Sequence, residues 1–303
     1  MSNVIVLAGG DSEERAVSLR SGNAVAEALR ERHHQVEIVD PAEGLSKYID
    51  KFQAADVVFS ALHGADGEDG VTQRFLEEYD IRYVGSDSKA SALCFDKARY
   101  TALLREHDIL VPETALVDAA EYQTSALASR PHVLKPNTGG SSIDTFIVRD
   151  LNKVDGTAIE HAFDKHHTML LQKLIAGVEL TVAVLDTAAL PVIEIIPPAD
   201  KEFDYENKYN GATQELCPPV DVDKAIQEQS QALAMQIHTL TGCRDMSRTD
   251  IMATESGTLY VLETNTIPGL TDQSLLPKAA AAAGYTMDAL CDHLIQLALN
   301  RDT

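Results

Sequence analysis

Two hydrophobic periods alternate along the first 90 residues. Val4 to Ala8 is a continuous apolar run ended by Gly9-Gly10, which predicts a short buried strand. From Glu13 to Glu31, Val17, Ser21, Ala24, Val25, Ala28 and Leu29 recur at helical spacing, with Asp11-Ser12 placed to cap that helix. Val36 to Val39 and Val57 to Leu62 predict two further strands. Strand, helix, strand in this order predicts a parallel α/β layer, which Tyr83-Val84-Gly85 ends. Ser88 to His107 reads as mostly helical, and a boundary falls near residue 90.

Beyond it, strands are expected at Pro112 to Val117, Val133 to Pro136, Met169 to Leu174, Gly177 to Leu185 and Leu190 to Ile196. Tyr122 to Ser129 reads as a weak helix and Asp221 to Thr241 as an amphipathic one. Leu275 to Ala283 and Thr286 to Leu299 are also expected to be helical. The polar stretch Asp200 to Gly211 has little periodicity, which suggests a functional lid.

Thr249 to Thr254 and Thr258 to Thr264 flank Ser256-Gly257 and read as a hairpin with a two-residue turn. In that register Asp250 faces Glu263 and Arg248 faces Asn265, all four on one side of the sheet. Facing carboxylates repel, and a divalent cation removes the conflict. Oxygen donors of this kind suit Mg²⁺, above all one that also holds phosphates. Lys135 ends its strand just before Asn137-Thr138-Gly139-Gly140-Ser141-Ser142. Small residues there let backbone N–H groups approach a phosphate, and the lysine adds a point charge. An ordinary hairpin loop accounts equally well for that stretch taken alone. His63 follows a buried strand and opens a loop with Gly64, Gly67 and Gly70 among three acids, at the end of the sheet where ligands bind. Glu14, taken alone, does no more than complement a helix dipole.

The 303 residues allow one to three domains with a large core. A formal net charge of -22 argues against duplex nucleic acid or an anionic membrane as the main partner. It does not exclude a nucleotide held by local lysines and backbone N–H groups. Cys94, Cys217, Cys243 and Cys291 form no CxxC pair and read as reduced thiols of a cytoplasmic protein. Neither a signal peptide nor a membrane span is expected.

Together these stretches resemble the D-alanine–D-alanine ligases of the ATP-grasp superfamily, from Gly9 to Ala283. The resemblance rests on Gly9-Gly10 through Glu14 and Ser18-Leu19, on His63-Gly64 with Gly67-Glu68-Asp69-Gly70 and Gln73, and on Lys135-Pro136 with Gly140-Ser141-Ser142. Tyr205 with Lys208-Tyr209, Arg248 with Asp250, and Glu263 through Thr271 with Ser274 complete it, in the family's order. It implies an α/β and α+β architecture: an ATP-grasp fold behind a Rossmann-like N-terminal α/β domain. The implied units are 1–90, 91–174 with the phosphate loop, and 175–303 with the metal and second-substrate site.

The resemblance further implies ATP-dependent joining of two D-alanines for peptidoglycan synthesis, by a cytoplasmic homodimer. By the same resemblance Asp250, Glu263 and Asn265 hold Mg²⁺, two ions, with Mn²⁺ as an alternative. Lys97, Lys135, Gly140 and Ser142 hold the phosphates, Gln172, Lys173 and Leu174 line the adenine pocket, and Glu179 binds ribose. Glu14 pairs with the first D-alanine's ammonium, and His63 lies near that substrate. Arg248 and the Gly269 N–H stabilise the tetrahedral oxyanion. Ser274 and Leu275 hold the second D-alanine, with Lys208 beside it, and Tyr209, Ser141 and Glu14 form a relay that closes the lid. Three positions depart from the family pattern: Gly139 is usually charged, Asp144 usually glycine, and Gln172 usually glutamate. Two other readings stay open: an ATP-grasp ligase for a different acid and amine, and a nucleotide-binding relative without turnover.

Overall fold

The computed structural model of the chain describes residues 1–197 and 213–301. Its first sheet is all parallel, in the order β2 (Gln35–Val39), β1 (Asn3–Leu7), β3 (Val57–Ser60), β4 (Tyr83–Val84). Helix α1 (Arg15–Glu31) joins β1 to β2, and the short helices α2 (Ile49–Ala54) and α3 (Val71–Glu78) precede β3 and β4. Neither short helix stands out in the hydrophobic pattern.

The expected single helix over 88–107 is two, α4 (Ser88–Phe95) and α5 (Lys97–Glu106). Asp96 divides them: its backbone is extended and its side chain accepts from the Arg99 N–H, so it caps the second helix. The cap fixes the start of α5 and with it the position of Lys97.

The second sheet is antiparallel, ordered β5 (Thr114–Val117), β8 (Met169–Lys173), β6 (His132–Pro136), β7 (Phe146–Val148). Helix α6 (Ala119–Thr124) starts earlier than its apolar pattern suggests, because Asp118 and Glu121 form a reciprocal capping box. Helix α7 (Gly156–His166) is capped by Asp155 and packs Ile159, Ala162 and Phe163 under this sheet.

The third sheet runs β12 (Gln214–Leu216), β11 (Ile193–Ile196), β9 (Val178–Leu185), β13 (Met246–Ala253), β14 (Leu259–Asn265), with β10 (Ala188–Ala189) paired to β9. Helix α8 (Lys224–Thr241) buries Ala234 and Ile237 against it. Helices α9 (Leu275–Ala282) and α10 (Met287–Asn300) return to the first sheet. One core therefore contains Val4, Val6 and Phe59 of the first sheet together with Leu276, Leu290 and Leu294. Among the described residues no helix is long and apolar enough to cross a membrane.

The β13–β14 hairpin differs from expectation in two ways that cancel. Its loop has three residues rather than two: the Thr254 N–H donates to the Thr258 carbonyl at 2.9 Å, with Gly257 left-handed at φ 80°. Ile251 therefore pairs with Val261, one step off the two-residue register. A bulge at Leu262 then absorbs one residue, so that Asp250 pairs with Glu263 and Arg248 with Asn265 as expected.

Candidate active site

The predicted residues gather in two adjoining cavities between the sheets. Glu14, His63, Ser141, Arg248, Asn265, Gly269, Ser274 and Leu275 line one. Lys97, Lys135, Ser142, Gln172, Lys173, Leu174, Glu179 and Asp250 line the other. Gly140 and Glu263 belong to both. Lys208 and Tyr209, with the lid expected at 200–211, lie outside the described residues.

At the first cavity Glu14 stands at the N-cap position of α1, where the sequence suggested Asp11-Ser12. Ser12 serves elsewhere. Its hydroxyl donates to the His63 carbonyl at 2.7 Å, tying together the loops that follow β1 and β3. Ser141 donates its hydroxyl hydrogen to Glu14, from a different sheet's loop. A Cβ on Gly140 would lie 2.9 Å from Glu14 Oε2, so a larger residue there would have to displace the Glu14 carboxylate.

Glu68, part of the Gly67–Gly70 motif but given no role from sequence, lines the same cavity. It is buried and accepts from the Gly64 N–H at 2.8 Å. Burial, aided by the charge of Glu14, pushes its pKa above the usual carboxylate range. His63 is also buried; desolvation pulls its pKa down to about 4, so the ring is neutral at pH 7.

At the second cavity Lys97 is buried and donates to the Gly139 carbonyl at 2.6 Å. Desolvation lowers its pKa, opposed by Glu263. Lys135 lies 3.5 Å from Glu263. Ser141 and Ser142 are left-handed, at φ 51° and 56°, a costly conformation for side-chain-bearing residues that recurs where a backbone is held for a ligand. Successive N–H groups in such a turn form an anion-binding concavity. The apolar walls come from Val133, Ile147, Met252 and Leu262. The bulge accounts for the last of these, because it lets consecutive Leu262 and Glu263 both line the cavity.

The facing carboxylates are held partly by cations of the chain itself. Arg248 Nε and Nη2 reach Asp250 at 2.9 and 2.8 Å, and the Thr181 hydroxyl donates to Asp250 at 2.6 Å. Among the described residues no group of three or more His, Cys, Asp or Glu side chains is arranged for a metal. Two carboxylates and an amide on one sheet face instead fit an ion that takes its remaining ligands from phosphates and water, which is how Mg²⁺ is ordinarily bound.

Residues 40–86 match the family model described as D-ala D-ala ligase N-terminus, and residues 95–296 match D-ala D-ala ligase C-terminus. The chain belongs to the D-alanine–D-alanine ligase family. A D-alanine–D-alanine ligase of Maridesulfovibrio salexigens is 38% identical over 299 residues, covering 97% of this chain and 98% of that one. A Bacillus anthracis D-alanine–D-alanine ligase crystallised with ATP superposes with a TM-score of 0.85 at 30% identity, over 99% of this chain and 98% of that one. A VanG D-Ala:D-Ser ligase of Enterococcus faecalis gives 0.80 at 28% identity, over 98% and 99%. The chain is an ATP-dependent ligase with the ATP-grasp fold of this family.

Three positions, 139, 144 and 172, were expected to depart from the family pattern. Asp144 would repel a phosphate if it faced one. It instead pairs with Lys165 at 2.9 Å and His166 at 2.7 Å, and Lys165 reaches on to Glu13 at 2.8 Å. Burial would raise the pKa of Asp144, but the bonds from His166 and Lys165 outweigh it and hold the carboxyl below its ordinary value. Gln172 donates its amide to the Thr114 hydroxyl at 3.2 Å and so keeps a place on the nucleotide wall. The carbonyl of Gly139 caps Lys97, a contact that needs no side chain at 139.

Proposed function

We propose that this ligase joins two D-alanines to D-alanyl-D-alanine, cleaving ATP to ADP and phosphate through an acyl phosphate, for peptidoglycan synthesis. One observation carries the reading: the cavity with Glu14, Arg248 and Ser274 and the cavity with Lys97, Lys135 and Glu179 share Gly140 and Glu263 as a common wall. A carboxylate in the first and a γ-phosphate in the second meet at that wall.

A carboxylate is a poor electrophile until phosphorylated. Glu14 pairs with the ammonium of the first D-alanine and aims its carboxylate at the shared wall. Lys97, Lys135 and the N–H groups of the 139–142 loop hold the phosphates, Lys173 and Leu174 the adenine, and Glu179 the ribose. Phosphoryl transfer depends chiefly on such positioning and charge neutralisation. Asp250, Glu263 and Asn265 would hold Mg²⁺, or Mn²⁺ in its place, which would supply Lewis-acid charge neutralisation beside the phosphates.

A carboxylate oxygen attacks the γ-phosphorus and ADP leaves. The second D-alanine places its carboxylate at Ser274 and the N–H end of α9, a favourable position for an anion. Its amine, once it has lost a proton, attacks the acyl carbon. Arg248 and the Gly269 N–H receive the oxyanion, each such donor worth roughly 3 kcal/mol in the transition state. Collapse expels phosphate and leaves the peptide bond. Lys208, Tyr209 and the relay through Ser141 enter this reading by resemblance alone, as does assembly as a homodimer. The cytoplasm, where thiols stay reduced, is the compartment it implies.

The test measures phosphate release with ATP, Mg²⁺ and D-alanine, with the product identified by mass. Release that depends on D-alanine and yields the dipeptide is expected. Release only with another amino acid, or ATP binding without release, rejects the proposal.

A further inference from the structure

Both sides of the Pro268-Gly269 turn are tied to the N-terminal layer by one buried circuit. Ser21 of α1 is fully buried, and its Oγ lies 3.0 Å from His63 Nε2. The Leu270 N–H donates to the same Oγ at 3.4 Å. The Ile267 carbonyl accepts from the imidazole. Counting hydrogens assigns the roles. The Ile267 carbonyl can only accept, so in the neutral ring Nδ1 donates to it and Nε2 is left to accept from the Ser21 hydroxyl, whose oxygen takes the Leu270 proton on a lone pair. The tautomer is thus assigned from the network. A protonated ring could not accept from Ser21, so the circuit requires a neutral His63.

Ile267 and Leu270 flank Pro268 and Gly269 directly. A shift of the turn therefore disturbs a contact to the circuit at one end or the other. The room around Gly269 is also narrow: a Cβ there would lie 2.7 Å from Ser274 Oγ. Ser21 itself lines neither cavity. The ring of His63 does border the first, but both nitrogens are committed to the circuit.

We propose that Ser21 is a positioning residue for ligation, which through His63 and the Leu270 N–H fixes the Gly269 N–H where the oxyanion forms. This rests on the oxyanion role given to Gly269 above. A buried serine that merely satisfied its neighbours would leave turnover unchanged apart from any general loosening. A positioning role affects the chemical step alone, and a misplacement of about 1 Å can cost on the order of a hundredfold.

The experiment uses the full chain, wild type and Ser21→Ala. It measures kcat, the KM for ATP, thermal midpoint, and the His63 tautomer by nitrogen-15 and carbon-13 NMR of histidine-labelled protein, with His63→Gln to assign the signal. In wild type, His63 should be neutral with its proton on Nδ1. In Ser21→Ala, kcat should fall about 10- to 100-fold, with the KM for ATP and the folded population unchanged. Ser21→Thr, which keeps the hydroxyl, should recover part of the loss. A Ser21→Ala kcat within about twofold of wild type, or a wild-type proton on Nε2, overturns the proposal; equal losses in Ser21→Ala and Ser21→Thr do so as well. If Ser21→Ala does not fold, the wild-type tautomer still decides. Should wild type make no dipeptide, the functional reading fails while the NMR arm still reports on the circuit.

Discussion

Acid should weaken this protein through His63 in particular. The ring is 5% exposed, and burial lowers its pKa from 6.5 to about 4 in the folded chain. The unfolded chain regains a value of about 6.5. Between these values the unfolded state binds a proton that the folded state does not, so stability must fall as pH falls. The contribution is complete above the unfolded pKa and is lost as pH drops through the folded one. At about 1.4 kcal/mol per pKa unit the full span is about 3 kcal/mol, of which about 2 kcal/mol is lost between pH 7 and pH 5. That is a sizeable share of a stability of about 5–15 kcal/mol. Urea unfolding of wild type and His63→Gln at pH 7, 6 and 5 measures it. The variant should be less stable at pH 7, because Ser21 and Ile267 lose their partner. Its stability should nevertheless fall by about 2 kcal/mol less than that of wild type over this range. Parallel pH profiles would refute the buried neutral ring and the circuit built on it.

Three more outcomes follow from the site. Glu263→Ala should abolish dipeptide formation while the thermal midpoint stays close to wild type; wild-type-like turnover would remove Glu263 from the phosphate and metal site. Lys165→Ala frees Asp144 and Glu13 from their shared cation. Because Lys165 is half exposed, stability should change by less than about 1 kcal/mol, while amide exchange across 139–145 quickens and the KM for ATP rises several-fold. Unchanged exchange there would show that the ion pairs do not restrain the loop. Glu68→Gln removes an acid whose folded pKa is raised, so its penalty grows as pH climbs above the ordinary carboxylate value. The variant should gain stability on wild type between pH 5 and pH 8, and a pH-independent offset would contradict the assignment.

The parallel first layer, most strands and the two long helices α1 and α8 were legible because each carries its own period. The pairing of Asp250 with Glu263 was legible for a less secure reason. The assumed two-residue turn was one residue short, and the bulge at Leu262 restored the register. Alternation along a strand shows which side chains share a face but not where a residue drops out of the ladder. Lys97 was readable as a charge, whereas its place in the cleft depends on the Asp96 cap that splits one apparent helix into two. The cation partners of Asp144 come from α7, an element with no sharp signal of its own in the pattern. Glu68 and Ser21 were illegible as functional groups for the same reason. Each looks like an ordinary acid or helix residue until Glu14, His63 and Leu270 are packed beside it from distant parts of the chain.

The central claim is that a D-alanine carboxylate is phosphorylated at the wall between the two cavities and then captured by an amine. Turnover of D-alanine labelled with oxygen-18 in both carboxylate oxygens tests it in one measurement. Attack of that carboxylate on ATP, followed by expulsion of phosphate, must carry one labelled oxygen into each phosphate released alongside D-alanyl-D-alanine. Phosphate free of label, or labelled substrate recovered with no dipeptide formed, would contradict the account.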